Sequence, residues 1–304
     1  MPSLFVAARL LPLLESQRAS WTFADDGTSG APTLASAADE VQLDGTAQAA
    51  LRILAFIDKP PSLTAAPTID RLRVHVLSGT HMADRPTAVV MAGPPGAGKS
   101  YSMSQLLPWL RREHGAPPRE GYAYINPDLW IRKHCDNNNA YRALANYCNH
   151  ETFLTCVGQR RHLIFDATGR TLVNTCGRII GRLVRANYRV HLVVVLASYS
   201  ACWKRVEARR EKTGRAVPEK VFGDIFADLR RVVPVYLHGA SNGLCETSVL
   251  CNNDRETAAK NVRKGREQPG VATLVPLTAT SSVDEIASAV KVAEILLAPP
   301  DLIA

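Results

Sequence analysis

Eight consecutive residues, Gly93-Pro94-Pro95-Gly96-Ala97-Gly98-Lys99-Ser100, have the types and the spacing of a loop that binds phosphate. The glycines allow successive backbone N–H groups to point inward at one anion, in conformations that a Cβ atom would obstruct. The lysine can reach the terminal phosphates of a nucleotide, and the hydroxyl of the following serine can bind Mg²⁺. The loop therefore predicts a site for ATP and Mg²⁺, with Lys99 as a catalytic residue and Ser100 as the metal ligand. The alternative is a glycine-rich turn without a ligand.

Two aspartates follow short apolar runs further along the chain. Asp128 comes three residues after the run Tyr122–Ile125, and Asp166 directly follows the run His162–Phe165. Ligands of an open parallel sheet bind beyond the carboxyl ends of its strands, so we expect both carboxylates to face the phosphates. A kinase uses one carboxylate to accept the proton of the acceptor hydroxyl, and a second one often supports the metal or the acceptor. Either aspartate could instead cap the following helix, and the residues alone leave Asp166 open between metal and acceptor.

Arginines are concentrated in residues 199–218. Arg205 and Arg209 are four residues apart and therefore share one face of a predicted helix. Gly214 ends that helix and frees Arg215 beyond it. Guanidinium groups that close over a γ-phosphate offset its charge in the transition state, an effect of ~10³–10⁵ in rate. We interpret the segment as a mobile lid, and the alternative interpretation is a basic helix exposed to solvent.

Apolar runs of strand length alternate with helix-like patterns from Pro86 onward. The six runs are Thr87–Ala92, Tyr122–Ile125, His162–Phe165, Val190–Ala197, Thr247–Cys251 and Val271–Leu277. This alternation predicts an α/β fold, a P-loop NTPase-type parallel sheet of about five strands with helices on both faces. Residues 86–304 are therefore interpreted as a P-loop kinase domain. Residues 1–85 are interpreted as a mainly helical N-terminal extension, in which the small, polar residues 22–42 predict a loop.

The composition is that of a soluble globular protein with a basic surplus. The chain has 304 residues, of which 46% are hydrophobic, and its formal net charge is +8. No apolar run approaches the ~20 residues of a membrane span, so we expect a soluble, cytoplasmic protein without a membrane partner. Organelle targeting by residues 1–20 is the alternative, because they are largely apolar and carry two arginines. The positive charge suits a phosphorylated small molecule or a nucleic acid.

Four motifs, taken together in this order, resemble the zeta-toxin family of P-loop kinases. They are the loop Gly93–Ser100, Asn126-Pro127-Asp128, Asp166-Ala167-Thr168-Gly169-Arg170, and Arg205-Val206-Glu207-Ala208-Arg209 with Gly214-Arg215-x-Val217-Pro218. The resemblance extends from Thr87 to Asp254. Many families share the first motif, so the later motifs carry the specificity.

On the nucleotide side, the resemblance implies a role for five residues. Asp128 would be the general base. Lys99 and Arg215 would contact the ATP phosphates as further catalytic residues, and Arg205 or Arg209 would add another phosphate contact. Mg²⁺ would accompany the nucleotide.

On the acceptor side, the resemblance implies that Asp166 and Thr168 hold the substrate and that Arg170 assists them. Asn252 and Asn253 would lie near the adenine, where they resemble an Asp-Asn pair of the family with the acid missing. Bacterial toxins of the family phosphorylate an amino-sugar hydroxyl of UDP-N-acetylglucosamine, so a UDP-amino sugar is one candidate for the hydroxyl-bearing acceptor. The resemblance also suggests an inhibitory protein partner. Residues 130–159 carry too weak a pattern to transfer the acceptor specificity.

Two other functions remain open at the level of the sequence. A polynucleotide 5′-hydroxyl kinase would use the same residues and would suit the charge of +8, although the aromatic content of 6% offers no evident stacking platform for bases. A nucleotide-binding switch module without transferase activity is the second alternative. A GTPase switch would carry Asn-Lys-x-Asp after a late strand, whereas Asn252-Asn253-Asp254 lacks that lysine.

Overall fold

The computed structural model describes residues 21–24, 33–36, 76–129, 142–214, 216–254 and 272–298. The chain divides into two compact units. The first comprises Met1–Arg73 and Pro127–Glu151, and the second comprises Val74–Asn126 and Thr152–Ala304. Of the predicted site residues, Asp128 belongs to the first unit and all the others belong to the second.

Two short strands pair in the first unit. Strands β1 (Trp21–Ala24) and β2 (Thr33–Ser36) are antiparallel. The prediction of a loop over residues 22–42 is therefore wrong for these strands. The Trp-Thr-Phe sequence of β1 has the aromatic and β-branched side chains that favour strands, and the small, polar residues between the strands obscured that preference. The predicted helical character of residues 1–85 mostly concerns residues outside the described ranges, and it stays a prediction.

A six-stranded sheet forms the centre of the second unit. Its strands are β3 (Thr87–Ala92), β4 (Ala123–Ile125), β5 (Leu163–Asp166), β6 (Arg189–Leu196), β7 (Thr247–Asn252) and β8 (Thr273–Thr278). They lie in the order β4-β5-β3-β6-β7-β8, in which the first five are parallel and β8 is antiparallel to β7. The prediction of an α/β sheet with about five parallel strands is confirmed. The last of the predicted apolar runs forms the antiparallel edge strand.

Helices connect the strands. They are α1 (Lys99–His114), α2 (Arg142–Gly158), α3 (Gly181–Arg185), α4 (Tyr199–Thr213), α5 (Glu219–Leu237) and α6 (Val283–Leu296), with a 3₁₀ turn at Arg119–Gly121 and a π-helical segment at Val173–Ile180. The residues of α2 are divided between the two units. Among the helices described, none combines the length and the apolar character needed to cross a bilayer.

The central strands are buried on both faces. Every residue of β3 and of β7 is buried, as expected for strands covered by helices on each side. On α1, Met103, Leu106 and Leu110 recur at helical spacing and are all buried. This packing fixes the sheet, and because β3 to β7 are parallel, their carboxyl ends lie at one edge. The candidate site is built at that edge.

Candidate active site

The glycine-rich loop connects the carboxyl end of β3 to the first turn of α1. Gly96 has a φ of 82° and Gly98 a φ of 87°, in the left-handed region that side chains disfavour. A Cβ atom on Gly96 would lie 2.3 Å from the Cys202 carbonyl oxygen, and one on Gly98 would lie 2.0 Å from Nδ2 of Asn253. Backbone conformation therefore requires both glycines, and at Gly96 the backbone of Cys202 leaves no space for a Cβ atom. We refer to residues 93–100 as the P-loop.

The amine of Lys99 lies over this loop. Its Nζ donates hydrogen bonds to the carbonyl oxygens of Gly93, at 2.9 Å, and of Pro94, at 3.4 Å. The same Nζ lies 3.9 Å from Oδ1 of Asp166, and the two side chains are only 14% and 5% exposed. The structure thus places a shielded cation and a shielded carboxylate side by side at the end of the sheet. Asp166 therefore lies beside the P-loop lysine, and its predicted role toward the phosphates stays a prediction.

The other oxygen of Asp166 is held by two neutral donors from β4 and the residue after it. Oδ2 accepts a hydrogen bond from the Tyr124 hydroxyl at 2.6 Å and another from Nδ2 of Asn126 at 2.8 Å. Burial, followed by the negative charge of Asp166, raises the pKa of the Tyr124 hydroxyl far above its ordinary value, so that this group stays a donor at neutral pH. Sequence reasoning missed Tyr124 and Asn126. Their spacing of two residues at a strand end was an available signal, because it places both on one face.

The residues around Ser100 fit a magnesium ion. Ser100 is exposed in the first turn of α1 and lies near the Tyr124 hydroxyl that binds Asp166. A hydroxyl and a carboxylate beside one another supply the hard oxygen ligands that Mg²⁺ prefers. Within the described ranges, no group of three or more His, Cys, Asp or Glu residues could form a metal cage. Mg²⁺ at a nucleotide site is typically held by one or two protein oxygens together with phosphates.

The segment after β5 is anchored beside the P-loop by backbone contacts. The Gly93 N–H donates to the carbonyl oxygen of Thr168 at 3.0 Å, and the Tyr236 hydroxyl donates to the carbonyl oxygen of Gly169 at 2.7 Å. The Thr168 side chain is half-buried. The predicted acceptor segment and the predicted nucleotide loop are therefore in direct contact.

Arg170 is paired with an acid that sequence reasoning missed. Its Nε and Nη2 lie 2.8 Å and 2.6 Å from Oδ2 of Asp228 on α5, and Arg231 binds the other oxygen of that carboxylate. The hydrogen bond from Arg170 lowers the pKa of the Asp228 carboxyl below its ordinary value. No sequence motif marks Asp228, because its importance depends on how α5 packs against the sheet.

The arginines of α4 are placed differently from one another. Arg205 donates from Nη1 to the carbonyl oxygen of Gly96 and from Nη2 to that of Asn253, both at 3.0 Å. Arg209 is half-buried one turn later. Arg215 lies outside the described residues, so its predicted contact with ATP stays a prediction. In this structure Arg205 thus binds the backbone of the P-loop.

The end of β7 also reaches the P-loop. Nδ2 of Asn253 donates to the carbonyl oxygen of Ala97 at 2.7 Å, and Oδ2 of Asp254 accepts from the Ser198 N–H at 3.0 Å. Asn252 is buried, and its Oδ1 accepts from the Asp254 N–H at 2.9 Å. The position near the adenine predicted for Asn252 and Asn253 stays a prediction, and the contact of Asn253 with the P-loop backbone was not predicted.

Asp128 lies in a helical turn, residues 127–129, just after β4 in the chain, and is half-buried. It belongs to the first unit, and its role as general base stays a prediction.

Comparison with known proteins agrees with this architecture. The family model named Zeta toxin matches residues 74–238. The solved AvrRxo1-ORF1:-ORF2 complex has a TM-score of 0.55 at 14% identity, covering 76% of this chain and 72% of that chain. The same complex solved with ATP has a TM-score of 0.56 at 13% identity, covering 76% and 71%. The structure of the PezAT chromosomal toxin-antitoxin system of Streptococcus pneumoniae aligns with a TM-score of 0.45 at 14% identity, covering 75% and 93%. No curated protein matches the chain.

Proposed function

The chain belongs to the zeta toxin family, and on that premise we propose that it is an ATP-dependent phosphotransferase. It transfers the γ-phosphoryl group of ATP to a hydroxyl group of a small molecule. The observation that carries this proposal is the amine of Lys99 inside the P-loop, 3.9 Å from the Asp166 carboxylate. A cation among inward-facing backbone donors at a helix N-terminus suits the β- and γ-phosphates of a nucleotide.

ATP as the phosphoryl donor has support from a protein of similar fold. The AvrRxo1-ORF1:-ORF2 complex was solved with ATP, and it shares the fold of this chain. Ser100 and Asp166 would hold Mg²⁺, directly or through a water molecule. When bound, the ion neutralises charge on the phosphates.

Each protein group has a separate role in the transfer of the phosphoryl group. The acceptor oxygen forms a bond to the γ-phosphorus, and the bond from that phosphorus to the bridging oxygen of ADP breaks. Asp128 takes the proton of the acceptor hydroxyl. Lys99 leaves the carbonyl oxygens of the P-loop and binds the phosphates. Arg209 and Arg215 offset the charge on the transferred group, since Arg205 is bound to backbone carbonyls.

The acceptor belongs to the same proposal, with a UDP-amino sugar such as UDP-N-acetylglucosamine as the first candidate. Family membership supports this choice, and so does the position of Arg170, which follows β5 beside the P-loop. Its side chain is 37% exposed, and Asp228 orients the guanidinium, which can therefore offer donors to an acceptor that carries a diphosphate. Thr168 would bind the acceptor next to it.

A transfer assay tests the function. The protein is incubated with γ-labelled ATP, Mg²⁺ and a panel of acceptors that includes UDP-amino sugars, nucleosides and 5′-hydroxyl oligonucleotides. We expect label on a UDP-amino sugar and none in a Lys99→Ala control. Label only on the oligonucleotides would replace this proposal with a polynucleotide 5′-hydroxyl kinase. Nucleotide binding without transfer to any acceptor would favour a switch module.

An inhibitory protein partner is also part of the proposal. The AvrRxo1-ORF1:-ORF2 complex, which joins two different chains, supports it by analogy of fold. The test is whether a protein that copurifies with this chain suppresses the transfer measured in the assay above.

A further inference from the structure

Two consecutive carbonyl groups of the P-loop receive hydrogen bonds from side chains outside the loop. When the N–H groups of such a loop point inward at an anion, the carbonyl groups of its peptides point outward and need donors. The Gly96 carbonyl receives one from Arg205 at 3.0 Å, and the Ala97 carbonyl receives one from Asn253 at 2.7 Å. Because Asn253 is only 8% exposed, its bond is shielded from water.

The two donors are themselves connected. Nη2 of Arg205 donates to the carbonyl oxygen of Asn253, so one guanidinium joins the P-loop to the end of β7. The N–H of Asn253 donates to the Leu196 carbonyl at 2.7 Å, which fixes it to the end of β6. The Asp254 carboxylate holds the Ser198 N–H at the start of α4, the helix that carries Arg205. These hydrogen bonds connect the P-loop, the ends of β6 and β7 and the helix α4 in one network.

We propose that Arg205 and Asn253 are positioning residues that hold the P-loop backbone in its anion-binding conformation. The proposal rests on the nucleotide site described above, and it changes the expected role of Arg205 from phosphate contact to support of the loop. Both terminal nitrogens of Arg205 already bind carbonyl oxygens, one that of Gly96 in the loop and the other that of Asn253 at the end of β7. The side chain of Asn253 also packs closely against Gly98 of the loop.

A positioning role and a phosphate contact predict different effects on two nucleotides. The P-loop binds phosphates that ADP and ATP share, so loss of its support weakens both nucleotides by a similar factor. A guanidinium that contacts the γ-phosphate stabilises bound ATP but not bound ADP, which has no γ-phosphate. The ratio of the two dissociation constants therefore separates the two roles.

The first experiment measures ADP and ATP dissociation constants, with Mg²⁺, for Arg205→Ala, Asn253→Ala and the double variant. Removing a hydrogen bond that is charge-assisted or buried corresponds to about a tenfold loss of affinity. We expect about that loss for both nucleotides in each single variant, and a double variant less impaired than the product of the two. Arg205→Lys keeps the positive charge and one donor nitrogen, so it should bind both nucleotides more tightly than Arg205→Ala does. The matched control is Arg210→Ala on the same helix, whose side chain is 56% exposed, and it should bind as the wild type does.

The second experiment needs no nucleotide. Hydrogen exchange of the peptide that covers residues 93–100 should be faster in Arg205→Ala and Asn253→Ala than in the wild type and in Arg210→Ala. If the wild type binds no adenine nucleotide, the proposed function fails while this measurement still tests the support of the loop. Should Arg205→Ala fail to fold, Arg205→Lys and Asn253→Ala give the same comparison. Two results would overturn the proposal. One is hydrogen exchange of residues 93–100 that is unchanged in these variants, and the other is a loss of affinity for ATP but not for ADP.

Discussion

At the scale of single residues, the two oxygens of the Asp166 carboxylate have different surroundings. Oδ2 accepts from Tyr124 and Asn126, whereas Oδ1 faces the Lys99 amine. Two donors on one oxygen fix the orientation of the carboxylate before any ligand arrives. Since the Tyr124 hydroxyl also contacts Ser100, it links the two groups proposed to hold Mg²⁺. Tyr124 should therefore affect the metal more than the nucleotide base.

Substitution Tyr124→Phe tests this link. It removes a hydrogen bond to a charged group, a change of about 1.5–3 kcal/mol. We expect the Mg²⁺ concentration for half-maximal transfer to rise about tenfold or more, because each ~1.4 kcal/mol is a factor of ten. The measurement is the initial rate, and separately the binding of a fluorescent ATP analogue, across a series of Mg²⁺ concentrations.

Tyr122 offers a matched control for this substitution. It is 5% exposed, and its hydroxyl has no hydrogen-bond partner among the described residues. Tyr122→Phe should therefore leave the Mg²⁺ dependence unchanged. If both variants shift it equally, or neither does, Tyr124 does not orient the metal site.

Asp128 is the second residue whose role can be tested by itself. If it accepts the acceptor proton, Asp128→Asn should bind ATP with nearly normal affinity and transfer phosphate about 10²–10⁴-fold more slowly. Binding is measured by titration calorimetry and transfer by single-turnover kinetics. A variant that transfers at the wild-type rate would exclude Asp128 as the general base.

At the scale of elements, α5 supports the segment that follows β5. Asp228 binds Arg170 through two nitrogens, and the Tyr236 hydroxyl binds the backbone of Gly169. Both contacts come from one helix, and Tyr236 lies on the buried face of that helix together with Phe222 and Leu229. Packing against the core fixes α5, and α5 in turn holds Arg170 and Gly169 at the proposed acceptor site. We therefore expect the loss of these contacts to weaken the binding of the acceptor.

Asp228→Asn tests that contribution. The amide keeps the shape of the side chain but loses the charge that orients Arg170, so the guanidinium should sample other positions. We expect the KM for the acceptor to rise about tenfold, corresponding to ~1.4 kcal/mol, with a smaller change in the KM for ATP. Steady-state kinetics with each substrate varied in turn provides the measurement.

Arg231→Ala is the control for this prediction. Arg231 is the other partner of Asp228, and its side chain is 76% exposed, so its loss should leave Arg170 in place. An equal effect of the two substitutions on the acceptor KM would point to a change in α5 as a whole.

The elements also explain which parts of the site the sequence predicted. The P-loop and its lysine are contiguous, so their chemistry can be inferred from spacing alone. Asp166 could be inferred because it ends an apolar run. The spacing of Tyr124 and Asn126 indicates a shared face, but their contact with Asp166 depends on β4 pairing with β5. Asp228 could not be inferred, since its role depends on α5 packing near Arg170. Such pairings join residues far apart in the chain and leave no local pattern.

At the scale of the whole molecule, the sheet buries imidazoles near the amino ends of its strands, away from the P-loop. His191, in β6, bonds Thr247 at 2.8 Å and packs on His114 with ring centroids 4.7 Å apart. Burial, followed by the charges of His114 and Arg189, lowers the pKa of His191 to about 3. Burial likewise lowers the pKa of His162, whose Nδ1 accepts a backbone N–H and must therefore be unprotonated. The folded protein keeps both imidazoles neutral.

This neutrality makes stability depend on pH in a direction that can be derived. The unfolded chain protonates His191 near its ordinary pKa of about 6.5, whereas the folded chain does so only near 3. Between these values the unfolded state binds more protons, so the free energy of unfolding falls as pH falls, by up to about 1.4 kcal/mol per pH unit from this residue. His191→Gln removes the group that takes up this proton, so the variant should lose less free energy of unfolding than the wild type between pH 7 and pH 5. The part of the loss that comes from His162 remains in the variant. Urea unfolding at several pH values measures the free energy of unfolding. If this free energy changes equally with pH in the variant and in the wild type, His191 does not contribute to the pH dependence.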